Sequence, residues 1–346
     1  MYVRVGLPNP SERTLVKTSL RTLTAAAVVA LVALTGCSSA PASDTDDAAA
    51  SGSEGGWPRT IAHDAGETDI PEEPLTVVST SVTLTGSLLA IDAPLTATAA
   101  AGVTPLTDDN GFFLQWAEVA EERGVETLYP DLELDLEAIE LAEPDLIIGS
   151  TIGADTTLEA YDQLSEIAPT VMIDYGTHDW REIMGQLGEA TGREAEAEEA
   201  LAEFDEWVAG EAEKITPVDG PVAALSYNGA DPSMVFTENS SQAEILQALG
   251  FDYQEPAEEL VAQQRSDALG ITPENLPAAL GDMSALFMVS IERDGVEGVK
   301  SDPLLQNAQA VADDTVVSIG STSFRIDPYS ARLMVEAVVE AFGSQQ

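Results

Sequence analysis

The sequence predicts an α/β protein of two related lobes joined by one long helix. Three observations carry this. Residues 193–215, REAEAEEALAEFDEWVAGEAEKI, read as one continuous acidic helix. Before it, β-branched segments alternate with helical ones, the order of β-α-β units and of a mainly parallel sheet. After it the same order restarts. Taken by itself the helix is equally an ordinary surface element of one domain; the matching flanks favour the two-lobe reading.

The chain opens on a leader. Arg4, Arg13, Lys17 and Arg21 run into the apolar segment LTAAAVVALVAL and then Leu34-Thr35-Gly36-Cys37. Charged, apolar and small residues follow one another as in a secretory signal over 1–36, and the apolar run falls short of the roughly 20 residues that span a bilayer. Cys37 is the single cysteine of the chain. Residues 37–56 collapse to Ser, Ala, Gly and Asp, a composition that cannot offset its ordering entropy and reads as a tether. At Trp57 the globule begins. WPRTIAHDAGETDIPEEP supplies short edge strands.

The first lobe is placed at 57–192. Leu75–Ser79 is its first core strand, followed by a polar turn over Thr80–Gly86, a short helix over Ser87–Asp92 and a strand at Leu95–Ala101. GFFLQWAEVAEERG is a helical segment starting near Phe112. LDLEAIELAEPDLIIGS delivers a helix into a buried strand at Asp145–Gly149; TTLEAYDQLSEIAP is helix and TVMIDY strand. The joining helix is assigned to 193–215 because Ala, Glu and Leu favour helix and because Ala197, Leu201, Phe204 and Val208 share one face. Thr191 is its candidate N-cap and Pro217 its stop, with Gly210 weakening the last turn. It would span roughly 35 Å.

The second lobe is placed at 216–346. PVAALSYNG is a strand, followed by a polar loop to Asn239 and the helix SQAEILQALGF. ITPENLPAALGDMSALFMVSI and DPLLQNAQAVADDTVVSIG each repeat the helix-then-strand order of the first lobe.

The chain of 346 residues is 44% hydrophobic, enough for two cores, and carries a formal charge of −47. Such a surface repels nucleic acid and anionic lipid. The acids are spread along the whole chain, which suits a solvated surface in high salt.

Ligands of such sheets bind at the carboxyl ends of the strands, so three loops should face a cleft between the lobes. They are Ser81–Thr85, Tyr227–Thr237 and Ser321–Arg325. Ser81 and Thr83 can hydrogen-bond a ligand or satisfy their own backbone. Ten Lys and Arg lie beyond the leader, so a cation in a cleft loop is notable. Arg325 beside Phe324 can pair with an anionic ligand while the ring stacks on it, or make a surface salt bridge; Arg265 is a second candidate. His63 and His178 are far apart and read as surface residues. With no cysteine in the globule, a direct metal site is not expected. No phosphate-loop or nucleophile-elbow motif occurs.

The LTGC tetrad resembles a bacterial lipobox, which implies lipidation of Cys37. With the tether, the interlobe helix and LEAIELAEPDLIIGS, the chain resembles the substrate-binding lipoproteins of iron-siderophore and vitamin B12 ABC importers. VSTSVTLTGSLLAIDAP, DDNGFFLQW, AYDQLSEIAPT and STSFRIDPYSA are similar to the ferric-enterobactin-binding branch found in enteric bacteria. The resemblance implies two Rossmann-like lobes in the class III periplasmic-binding-protein fold. It implies a monomeric, non-enzymatic, lipid-anchored extracytoplasmic receptor without a cofactor, passing a ferric siderophore to a permease and its ATPase. Cobalamin or haem are the alternative ligands, and a secreted α/β enzyme the alternative class. By position, Phe324, Arg325 and Arg265 match ligand-facing residues, Phe236 stands for a cleft tryptophan, and Tyr227 lies in a ligand-facing loop. Pro105 replaces an expected arginine, which admits a less charged chelate. Asp162 and Glu244 match acids that grip the permease.

Overall fold

In each lobe the central strands are buried on both faces, and the alternation of their side chains shows it. Ile147 packs with Val78 and Leu164 on one side of the first sheet, while Leu146 and Ile148 enter the large core on the other. The structure is a computed structural model that describes residues 56–289 and 294–343. Cys37, the leader and nearly all of the tether lie outside the described residues.

The chain enters through an antiparallel hairpin, β1 (Arg59–His63) and β2 (Gly66–Ile70), tied to the first sheet by the Asp64 amide on the Met172 carbonyl. That sheet contains β3 (Val77–Ser79), β4 (Leu95–Thr98), β5 (Glu126–Thr127), β6 (Leu146–Ser150) and β7 (Thr170–Ile173), all parallel, in the order β5-β4-β3-β6-β7. The order reverses between β3 and β6, so the loops leaving those two strands diverge and open a crevice.

The second sheet contains β8 (Pro221–Ser226), β9 (Ser233–Phe236), β10 (Asp252–Tyr253), β11 (Val261–Gln264), β12 (Ala268–Ile271), β13 (Ala285–Met288) and β14 (Val316–Ser318). Its main order is β11-β12-β9-β8-β13-β14, with β10 beside β8. The β10, β8, β13 and β14 pairings are parallel and those of β9, β12 and β11 antiparallel. This corrects the expectation of a loop over Tyr227–Thr237. β9 is four residues long and finds its order only by pairing with β8 and β12.

Three helix boundaries also differ from expectation. The turn after β3 is already helical, with a helix at Val82–Ala90, and the aromatic segment becomes helix only at Ala117–Glu122. The joining helix runs over Glu194–Ala212 and is preceded by a separate helix, Trp180–Thr191, which ends in left-handed Gly192 at φ 72°. Thr191 is therefore the end of one helix, its hydroxyl donating to the Leu187 carbonyl, and not the cap of the next. Asp179 and Glu182 form a capping box at the start of Trp180–Thr191, a sequence-level signal for that helix.

The joining helix buries Ala197, Phe204 and Val208, as its periodicity predicts. Its main contacts are other helices: Trp180–Thr191, Ser241–Ala248 and the C-terminal helix Pro328–Phe342. It does not lie directly on the backs of the sheets. Phe204 meets Trp180 edge-on with ring centres 5.2 Å apart. The C-terminal helix packs on both the joining helix and Val82–Ala90, so the chain returns to the first lobe. One apolar cluster accordingly runs from Val77 and Leu146 through Phe204 to Phe287 and Val338. Among the described residues no helix is long and apolar enough to cross a membrane.

Candidate ligand-binding cleft

The first site residues are set by β3 and β6, whose carboxyl ends flank the switch point. Ser81 occupies the N-cap position of Val82–Ala90, yet its side chain does not cap the helix. Asp155, from the loop after β6, takes that part. Its Oδ2 accepts from the Ser81 hydroxyl at 2.5 Å and from the Thr83 amide at 3.1 Å. A carboxylate at a helix N-terminus meets both an unpaired N–H and the positive end of the dipole. The other oxygen, Oδ1, accepts from the Tyr175 hydroxyl at 2.6 Å. Asp155 is 4% exposed, so these three donors stand in for water.

Tyr175 follows β7 and points its ring across the crevice. Burial and the Asp155 charge together push its phenol well above the ordinary range, so it is a neutral donor. Gly153, at φ +86°, permits this arrangement, since a Cβ there would fall on the Tyr175 hydroxyl. Arg325, on the far lobe, lies over the ring face with its guanidinium carbon 5.0 Å from the ring centre. No carboxylate of the described residues lies within ion-pair distance of Arg325, whereas Arg59, Arg123, Arg181, Arg193 and Arg265 each have one.

Between these groups lies a cleft of about 290 Å³. Thr83, Ser87, Tyr175 and His178 line it from one lobe, and Asn239, Gln242, Ser266, Phe324 and Arg325 from the other. Phe324 meets Phe113 of the first lobe edge-on, ring centres 6.1 Å apart. At the rim, the Ser266 hydroxyl donates to the Gly176 carbonyl at 2.6 Å and bridges the lobes. His178 sits beside it, Nε2 3.0 Å from Asp64 and Nδ1 3.5 Å from Glu182. Partial burial opposes its charge, but the two carboxylates outweigh that and raise its pKa above the ordinary histidine value.

Of the residues singled out from sequence, Thr83, Phe324 and Arg325 meet in the cleft. The rest are placed otherwise. Ser81 is fully buried and committed to Asp155, so it shapes the cleft floor from behind. Arg265 is half exposed and held by Asp267 at 3.1 Å, next to the bridging Ser266 but outside the lining. Phe236 is buried within β9, because pairing on both sides of that strand turns it into the core. Tyr227 faces away, its hydroxyl donating to Asp302 at 2.8 Å, with its pKa pushed up to about 12 by burial and by that carboxylate. Asp162 is exposed in the first turn of Tyr161–Ile167. Glu244 instead forms an ion pair with Arg181 Nε at 2.8 Å, and Arg181 also pairs with Asp205 of the joining helix at 2.6 Å. Asp155, Tyr175 and His178 were missed. Tyr175 and Asp155 follow strands at their carboxyl ends, a positional signal that was available in the sequence.

The sequence pattern of the family described as periplasmic binding protein matches residues 77–322. The chain is 40% identical over 294 residues to the ferric enterobactin-binding periplasmic protein FepB of Escherichia coli O6:H1, over 83% of this chain and 91% of FepB. It is 25% identical over 274 residues to the probable siderophore-binding lipoprotein YfiY of Bacillus subtilis, over 78% of this chain and 79% of YfiY. Its fold superposes on the crystal structure of holo-ViuP with a TM-score of 0.75 and 34% identity, over 83% of this chain and 96% of that one. Two α/β sheets that meet across a cleft at their strand ends, matched over most of the chain, make this protein a member of the periplasmic binding protein family.

Proposed function

We propose that the protein is the substrate-binding component of an ABC importer and captures an iron(III)-siderophore of the catecholate, enterobactin-like class between its lobes. The observation that carries this is Arg325, a cation without a described carboxylate partner, laid on an aromatic face inside the interlobe cleft. In a chain of formal charge −47, a guanidinium left available to a ligand points to an anionic, aromatic-bearing one. FepB is named for ferric enterobactin, and YfiY for siderophore binding, which supports the same class.

The role is capture and delivery without covalent chemistry. Asp155, a buried carboxylate behind the cleft lining, is committed to three donors and is not positioned as a general base. The receptor acts as a monomer tethered through lipidated Cys37 outside the cytoplasm, with a permease and its ATPase as partners. The name of YfiY as a lipoprotein supports the anchor. Titration with ferric siderophores, cobalamin and haem, followed by tryptophan fluorescence, tests the reading. Trp180 lines the cleft and should be quenched by a ferric catecholate. Quenching by cobalamin or haem alone would replace the ligand class, and silence to the whole panel would remove the function.

A further inference from the structure

Arginine loses much side-chain freedom when it is held in one place, so a ligand-binding guanidinium benefits from a surface that holds it beforehand. Arg325 has such a surface in the Tyr175 ring, but it belongs to the other lobe. The ring is largely buried in the common core, and its outer end is fixed by the hydroxyl, which donates to Asp155 Oδ1. Asp155 in turn is fixed through Oδ2 by the Ser81 hydroxyl and the Thr83 amide, both at the N-terminus of the first helix of the lobe. Left-handed Gly153 clears the space in which the phenol reaches the carboxylate.

We propose that Asp155 is a positioning residue: acting through Tyr175, it fixes the guanidinium of Arg325 in the cleft. The interior of one lobe thus determines where the cation of the other lobe stands. The consequence for ligand capture rests on the siderophore-receptor reading; the positioning itself does not. Asp155 makes no contact with the cleft and touches Arg325 only by way of the ring.

The ligand-free readout is the Arg325 Nε–Hε resonance of full-length protein, assigned by its loss in Arg325→Lys. Lying over an aromatic face, it is shifted upfield by the ring current. In Tyr175→Leu the shift disappears. In Tyr175→Phe, which keeps the ring and removes only the anchor, it moves toward the free-arginine position. In Asp155→Ala, which removes both carboxylate oxygens and so the partner of the Tyr175 hydroxyl, it moves likewise. A resonance that stays in place in both Tyr175→Phe and Asp155→Ala overturns the proposal.

Affinity for ferric enterobactin supplies a second measurement. Tyr175→Phe lowers it about fivefold in the wild-type background and leaves it unchanged in Arg325→Ala. Equal losses in both backgrounds would mean a role that does not pass through Arg325, and would also overturn the proposal. If the wild-type protein binds no ferric siderophore, the functional reading fails, while the resonance still decides the positioning role.

Discussion

Arg325 and Tyr175 meet across the cleft with the guanidinium carbon 5.0 Å from the ring centre, which joins the last loop of one lobe to the end of the last strand of the other sheet. Replacing Arg325 by Ala should weaken ferric-siderophore binding about tenfold to a hundredfold, the range of one charge-assisted contact. Arg325→Lys should recover only part of this, because an ammonium cannot lie flat on the ring. Fluorescence titration of the three proteins checks both.

The Gly153 site should be intolerant. Gly153→Ala places a methyl on the Tyr175 hydroxyl and asks alanine to adopt φ +86°. A loss of about 2 kcal/mol or more in urea unfolding is expected, together with weaker ligand binding.

His178 should make stability depend on pH. Its folded pKa lies above the unfolded value because Asp64 and Glu182 face it, despite partial burial. The stabilisation is therefore fully present below the unfolded pKa of about 6.5 and is lost as pH rises through the folded value. His178→Gln should destabilise the protein at pH 5.5 and nearly cease to matter at pH 9, as read from paired thermal melts. An equal effect at both values would refute this.

Arg181 holds Asp205 and Glu244 together at the joining helix and also lies 4.7 Å over Trp180. Arg181→Ala leaves two neighbouring carboxylates without their cation and should cost about 1–2 kcal/mol, whereas Glu244→Gln alone should stay within about 0.5 kcal/mol. Denaturant midpoints of the two variants distinguish them.

Closure on ligand should be small. The joining helix and the returning C-terminal helix both pack across the lobes, and the Gln115 amide of the first lobe donates to Asp327, the buried N-cap of the C-terminal helix, at 3.2 Å. Scattering profiles of free and loaded protein should nearly superpose, the sign of a rotation of a few degrees. A large contraction would indicate a wide hinge.

Much of the fold was legible because it rests on local periodicity. The parallel strands LIIGS and TVMI, the buried stripe of Ala197, Phe204 and Val208, and the helix SQAEILQA each declare themselves within a few residues. Phe324 and Arg325 stood out because cations are scarce in this chain. The antiparallel strands around β9 and β12 could not be read so directly, since four-residue segments such as SMVF and ALGI carry little local signal and become strands only by pairing on both sides, SMVF with β8 and β12 and ALGI with β9 and β11. Phe236, which the resemblance places in the cleft in the position of a tryptophan, is instead buried within β9.

The sequence by itself determined the lobed α/β pattern, the acidic surface and the cation that serves the cleft. Tertiary structure alone decided what holds that cation. Ser81, Asp155, Tyr175 and Arg325 come from four separate loops, and their hydrogen bonds and ring contact exist only once β3, β6 and β7 lie side by side and the second lobe folds over them. No local pattern encodes such a chain of contacts, because each link is a distance between residues that the covalent sequence leaves far apart.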